Sequence, residues 1–370
     1  MGDSTRESVE LFAKVAPGES WECQRQFFPS KLGGHPAWLE PEKLPPEAAF
    51  ACRGCAGVMS FVLQLYAPDD DEPSGDAFHR ALFLFACQPC GTQWRAYRSQ
   101  LPRANRHYSD HPEPPGTNFP QPGAAVARQC CPACWIPSSG EAAEGDVVAG
   151  SSKVCDVTEE GGGLAEWWEN GGTGWRALHP RCKVATRHQT LEATFPEALL
   201  LICEGDIQEP DNHLAHEREL YRRYQEMRAA GGGEEELDES EEKAIESIQQ
   251  ERLVVDRSFE RFCKRTTPSE VLYYCRDGTP LWTSDRAPRL RCAEAGESAG
   301  GGGVVPACER CGGPRSFEFQ VLPQMHSHLR AARLDFASVV VYTCAASCRL
   351  AGEYQQEFVY VEQDLSLAAR

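Results

Sequence analysis

Eight of the 18 cysteines stand in four close pairs: Cys52-Arg-Gly-Cys55, Cys87-Gln-Pro-Cys90, Cys308-Glu-Arg-Cys311 and Cys344-Ala-Ala-Ser-Cys348. A CxxC turn presents two sulfurs on one side of a tight knuckle, and a second knuckle beside it completes the tetrahedron that zinc accepts. The order along the chain predicts two four-thiolate zinc sites, Cys52/Cys55/Cys87/Cys90 and Cys308/Cys311/Cys344/Cys348. Four protein ligands leave no coordination position for water, so both sites are expected to hold a fold rather than to activate a substrate.

Disulfides are the competing chemistry, and the compartment decides between the two. Met1 to Glu10 is polar and lacks the apolar core of a secretory signal, and no run approaches the length of a membrane span. The expectation is a cytoplasmic and nuclear protein with no membrane partner, in a reducing setting where clustered thiols serve metals. A thioredoxin-type redox centre needs its CxxC to open a helix after a strand, whereas these pairs flank apolar, strand-like segments and come in matched sets. The histidines of His213-Leu-Ala-His216-Glu follow neither the HExxH nor the HxxEH order of a metalloprotease, and the glycine runs lack the Lys-Ser or Lys-Thr pair of a phosphate loop. With no nucleophile and base placed together, the chain is expected not to be an enzyme.

The 370 residues carry 55 acidic and 37 basic side chains, a formal charge of -18, with 41% hydrophobic and 9% aromatic content. That composition supports real cores. The charge argues against nucleic acid as the direct ligand, because phosphate binding needs a cationic face, and favours a basic protein partner.

The segments between the knuckles are those that would bring them together. Val58 to Tyr66 and Ala81 to Ala86 are short and apolar, joined by the turn-rich Pro68 to Asp76, so antiparallel pairing puts both amino-terminal knuckles at one end of a hairpin. Phe317 to Leu322 alternates as a half-buried strand, and Ser338 to Thr343 and Glu357 to Glu362 complete a second sheet. The predicted class is α+β and β-rich: two zinc-stapled antiparallel β lobes with a low-complexity insertion and an acidic helical linker. The expected divisions are an amino-terminal lobe at 1–110, the insertion at 111–204, the linker at 205–253 and a carboxy-terminal lobe at 254–370. The linker includes Glu234 to Glu246, with eight carboxylates and one lysine.

The strings FPSKLGGHPAWL (Phe28 to Leu39), LQLYAP (Leu63 to Pro68), DAFHRALFLFAC (Asp76 to Cys87), YRSQLPRAN (Tyr97 to Asn105), FEFQVLPQM (Phe317 to Met325) and TCAASC (Thr343 to Cys348) closely resemble the programmed cell death protein two family, to which fungal twenty-S rRNA accumulation factors belong. The resemblance covers roughly residues 20 to 108 and 255 to 364. Animal members carry a central MYND-type zinc finger, and this chain resembles it at Cys131-Pro-Ala-Cys134 and from Cys182 through His188 to Glu192. Cys155 and Cys203 are the remaining candidate ligands, and the expectation is a degenerate finger with one zinc or none. The chain is expected to be a monomer, and the resemblance implies a ribosome-biogenesis factor, a dedicated chaperone or adaptor for a new small-subunit ribosomal protein of the uS-five family (S-two in eukaryotes), acting in pre-ribosomal assembly, rRNA processing and export. Gly33, Gly34 and Trp38 are the expected partner-binding residues. The alternative is a nuclear adaptor that docks proteins of transcription, proliferation or apoptosis through the MYND-like finger.

Overall fold

The computed structural model describes residues 9–140, 176–177, 179–182, 194–204, 256–288, 290–293, 303–331 and 333–363. Two units are distinguished: Met1–Cys203 with Pro268–Pro280 and Pro288–Arg370, and a smaller one of Glu204–Thr267 with Leu281–Ala287. The predicted linker at 205–253 lies outside the described residues. In the smaller unit, α2 (Arg257–Arg265) begins where the Asp256 carboxylate accepts the N–H groups of Ser258 and Phe259, as an N-cap should. Among the described residues, no helix is long and apolar enough to cross a membrane.

The larger unit is built mainly of strands, and its short helices include α1 (Ala124–Ala127) and α3 (His326–Leu329). In chain order the strands are β1 (Leu11–Ala16), β2 (Lys31–Leu32), β3 (Ser60–Tyr66), β4 (His79–Ala86), β5 (Trp94–Leu101), β6 (Ala198–Glu204), β7 (Glu270–Tyr274), β8 (Arg291–Cys292), β9 (Val304–Val305), β10 (Arg315–Val321), β11 (Ser338–Cys344) and β12 (Tyr354–Glu362). Ten of them close a barrel in the order β1-β6-β2-β3-β4-β5-β12-β11-β10-β7, while β8 and β9 form a separate parallel pair. The β-rich class holds, but the two separate lobes do not. The amino-terminal strands form one arc and the carboxy-terminal strands another. The arcs are sewn together by β5 with β12, from Ser99↔Tyr354 to Ala96↔Glu357, and by β1 with β7, from Leu11↔Tyr274 to Lys14↔Glu270. Two free-standing sheets would each leave unpaired edges, and closure removes them.

β4 explains why its sequence is apolar throughout. Leu82, Leu84 and Ala86 point into the barrel with Val62, Ala96, Val271, Phe319, Val339 and Val341. Ala81, Phe83 and Phe85 point outward into a second core with Trp38, Phe50, Phe61 and Tyr97. Burial on both faces needs no polar alternation.

The carboxy-terminal hairpin shows how alternation can mislead. β10 is buried along almost its whole length rather than half-buried. A bulge between Phe317 and Phe319 leaves Glu318 fully buried, where it takes both terminal nitrogens of the fully buried Arg80, at 2.5 and 2.7 Å, and the Thr343 hydroxyl. Burial pushes the Glu318 carboxyl up, but the Arg80 guanidinium overrides it and holds the group at about 2. The amino-terminal hairpin has its bulge between Phe61 and Leu63. Phe61 and Phe317 each stand six residues beyond the second cysteine of their knuckle, Cys55 and Cys311. The two hairpins thus share a geometric plan that their sequences hide.

Glu318→Leu strands the Arg80 charge in the barrel and is expected to lower the stability of the chain by about 3–5 kcal/mol in urea denaturation. Adding Arg80→Met should recover most of that loss, and a single variant as stable as the parent would contradict the pairing.

Candidate metal centres

Each CxxC knuckle is shaped by the backbone before its sulfurs are considered. In three of them the first cysteine donates its N–H to the carbonyl five residues on, Cys52 to Gly57, Cys131 to Ile136 and Cys308 to Gly313. The residue four on returns its N–H to the same cysteine's carbonyl, as Ala56, Trp135 and Gly312 do, and Gly91 does so for Cys87. All four of those residues have positive φ, at 56, 52, 70 and 75° respectively. Glycine adopts that conformation freely, and an alanine or tryptophan held there marks a turn fixed by its surroundings. The last pair has one extra residue, and Ser347, at φ 43°, turns the chain before Cys348.

The turns converge. Cys52, Cys55, Cys87 and Cys90 form one group and Cys308, Cys311, Cys344 and Cys348 another, with the four sulfurs of each group within 4.8 Å of one another. Individual separations are 3.7 Å for Cys52–Cys90, 3.5 Å for Cys55–Cys87, 3.8 Å for Cys308–Cys348 and 3.6 Å for Cys311–Cys344. A disulfide requires about 2.05 Å. A tetrahedron of sulfurs at about 2.3 Å from a central zinc has edges of about 3.8 Å, so the donor set fits that ion.

Strand register places the two groups at opposite rims of the barrel. Ala86, leading into Cys87, pairs with Trp94, and β5 runs from there to Ser99 opposite Tyr354. β12 then runs back to Glu362, opposite Ser338, and β11 returns to Cys344.

A third group joins Cys131, Cys134, His179 and Cys182, all buried. His179 is a candidate donor that the spacing of the cysteines alone does not reveal. Its Nδ1 lies 3.3 Å from the Cys134 sulfur, and its Nε2 lies 3.1 Å from the Pro137 carbonyl, which can only accept, so Nε2 carries the proton and Nδ1 is free to bind. The available signal was His179-Pro-Arg-Cys182, which repeats the spacing of a knuckle with histidine in the first place. Cys203 is not part of this group; it sits on β6 with its sulfur 3.7 Å from the Phe12 carbonyl. Cys155 and His188 lie outside the described residues.

One thiol in each group is drawn toward thiolate. Burial raises Cys52, but N–H groups of Cys55 and Gly54 and contacts from Cys87 and Cys90 bring it to about 7. Cys131 is lowered by hydrogen bonds from Cys134 and Cys182, and Cys308 by those from Cys344 and Cys348.

Trp38, Gly33 and Gly34, the expected partner-binding residues, are each held in the packing of the chain. Trp38 is 1% exposed, donates its indole N–H to the Trp135 carbonyl at 2.8 Å and packs on Phe50, Phe83, Phe85 and Tyr354. Gly33 and Gly34 have φ near 60°, and a Cβ on Gly33 would stand 2.0 Å from the Pro196 carbonyl oxygen. They are glycines because the segment around Phe195 to Glu197 crosses them.

Family models for the N-terminal and C-terminal domains of Programmed cell death protein 2 match residues 9–115 and 256–365. Programmed cell death protein 2 of Mus musculus is 34% identical over 372 residues, covering 97% of each chain, and that of Bos taurus is 33% identical over 97% of this chain and 96% of its own. A 20S rRNA accumulation protein 4 of Schizosaccharomyces pombe is 32% identical over 113 residues, 30% of this chain and 28% of its own. No solved structure matches the chain significantly.

His179→Ala removes one donor from the third group alone. Elemental analysis of the purified variant is expected to show one metal ion fewer per chain than the parent, with the barrel still folded by circular dichroism. An unchanged metal content would exclude His179 as a ligand.

Proposed function

Because this chain belongs to the programmed cell death protein 2 family, we propose that it is a zinc-stapled ribosome-biogenesis factor that receives a newly made, basic small-subunit ribosomal protein of the uS-five family and carries it toward assembly. The observation that carries this reading is the likeness to a yeast protein named for 20S rRNA accumulation. The three groups supply four donors each, which suits structural zinc and leaves no position for a reacting water. Binding free energies of about 10–16 kcal/mol for structural zinc match or exceed the net stability of about 5–15 kcal/mol typical of a whole domain. The metals therefore serve the scaffold, and the activity is binding rather than catalysis. A formal charge of -18 complements a basic client and disfavours direct contact with RNA. The protein works as a monomer in cytoplasm and nucleus.

A second reading rests on the third group, which His179 completes and which packs into the outer core through Cys131, Cys134 and Cys182. A finger of that kind suits a nuclear adaptor.

Co-expression of the full chain with a uS-five family protein is expected to keep the client soluble. The complex should weaken sharply at 1 M salt, where the screening length falls to about 3 Å. Client that precipitates equally with and without the chain would contradict the proposal. His179→Ala separates the readings, since client capture survives it whereas recruitment through the finger is lost.

A further inference from the structure

The two four-thiolate groups differ in what lies behind them. Gly54 N–H approaches Cys52 Sγ at 3.3 Å, a backbone contact, at the amino-terminal group. The carboxy-terminal group also has a backbone donor, Gly313 N–H to Cys311 Sγ at 3.4 Å, but in addition it rests on a buried side chain from the other arc of the barrel. Arg98 on β5 is fully buried, and its Nη2 points to Cys348 Sγ at 3.6 Å while Nη1 donates to the Cys348 carbonyl at 3.2 Å and to Gln100 Oε1. Its Nε donates to Glu357 Oε1 at 2.8 Å.

The same carboxylate uses its other oxygen to hold Arg315 Nε at 2.9 Å, and Arg315 Nη1 donates to the Pro306 and Ala307 carbonyls, directly before Cys308. Gln100 adds a bond from Nε2 to the Ser347 carbonyl at 2.9 Å. One buried carboxylate therefore positions two arginines, one gripping the turn that carries Cys348 and the other the segment that leads into Cys308. Zinc with four thiolates bears a net charge near -2, and a buried guanidinium that donates to one sulfur both offsets that charge and orients the ligand.

We propose that Arg98 is the outer-sphere positioning residue of the carboxy-terminal site, holding Cys348 and coupling metal retention there to closure of the barrel at the β5–β12 seam. The proposal rests on the metal reading of the two groups given above. It assigns a metal-holding task to a residue 210 positions before the nearest ligand of that site, Cys308, on a strand of the opposite arc.

The test uses the full chain with cadmium-113 in place of zinc. In the unmodified protein, a guanidinium proton of an arginine is expected to show scalar coupling to one sulfur-bound cadmium, the one also coupled to the Cys348 β-protons. Arg98→Lys, which keeps the charge and loses the fork, should move that resonance alone. It should also lower the zinc affinity of that site by about 10–100-fold in chelator competition, leaving the amino-terminal site as it was. Absence of any arginine coupling in the unmodified chain overturns the role even if the variant fails to fold. A resonance and affinity untouched by Arg98→Lys also overturn it while leaving the metal reading intact, whereas absence of any all-sulfur cadmium resonance removes both.

Discussion

Sulfurs that stand 3.5 to 3.8 Å apart in groups of four are too distant to bond with one another and too close to carry four negative charges unaided. Either most remain protonated and the packing is frustrated, or a cation sits among them and turns repulsion into the strongest local tie in the chain. The knuckle turns show which way the backbone is built. Ala56 and Trp135 accept a left-handed conformation at the position glycine fills in Gly91 and Gly312. A side chain in that region is tolerated only where the surrounding structure determines it.

The location of the two all-cysteine groups gives this constraint its reach. Each caps a hairpin, one at either rim, and the hairpins belong to different arcs of one barrel. Between them run the fully buried pairs Arg80–Glu318 and Arg98–Glu357, in each case an arginine of the amino-terminal arc with a glutamate of the carboxy-terminal one. Such pairs add little net stability compared with apolar packing, but they penalise any misplacement that leaves one charge alone. They act as specificity devices for closing this barrel in this register, while burial of Val62, Leu84, Phe319 and Val341 supplies the driving force. The outer core around Trp38 then ties the third group to the same wall.

What the sequence disclosed and what it concealed divide along contact range. Cys52 and Cys55, or Cys344 and Cys348, declare themselves because a knuckle is local and its spacing is chemistry. The strands β3, β4, β10, β11 and β12 were legible within a few residues for the same reason. Barrel closure was not, since the pairing of Ser99 with Tyr354 depends on which edges meet across the whole chain. Phe317 to Leu322 reads as half-buried because a bulge cannot be inferred from alternation. The packing of Gly33 was not legible either, because nothing nearby in sequence hints that Pro196 crosses it. His179 is hidden because a histidine in the first place of a knuckle is a weaker pattern than a cysteine.

X-ray absorption at the zinc edge of the natively purified full chain probes the central claim without any substitution. The expected first shell is sulfur at about 2.3 Å with a minor nitrogen component and no oxygen, in the proportion of eleven sulfurs to one imidazole nitrogen that the three groups contain. Oxygen in that shell, or folded protein carrying negligible zinc, would contradict it.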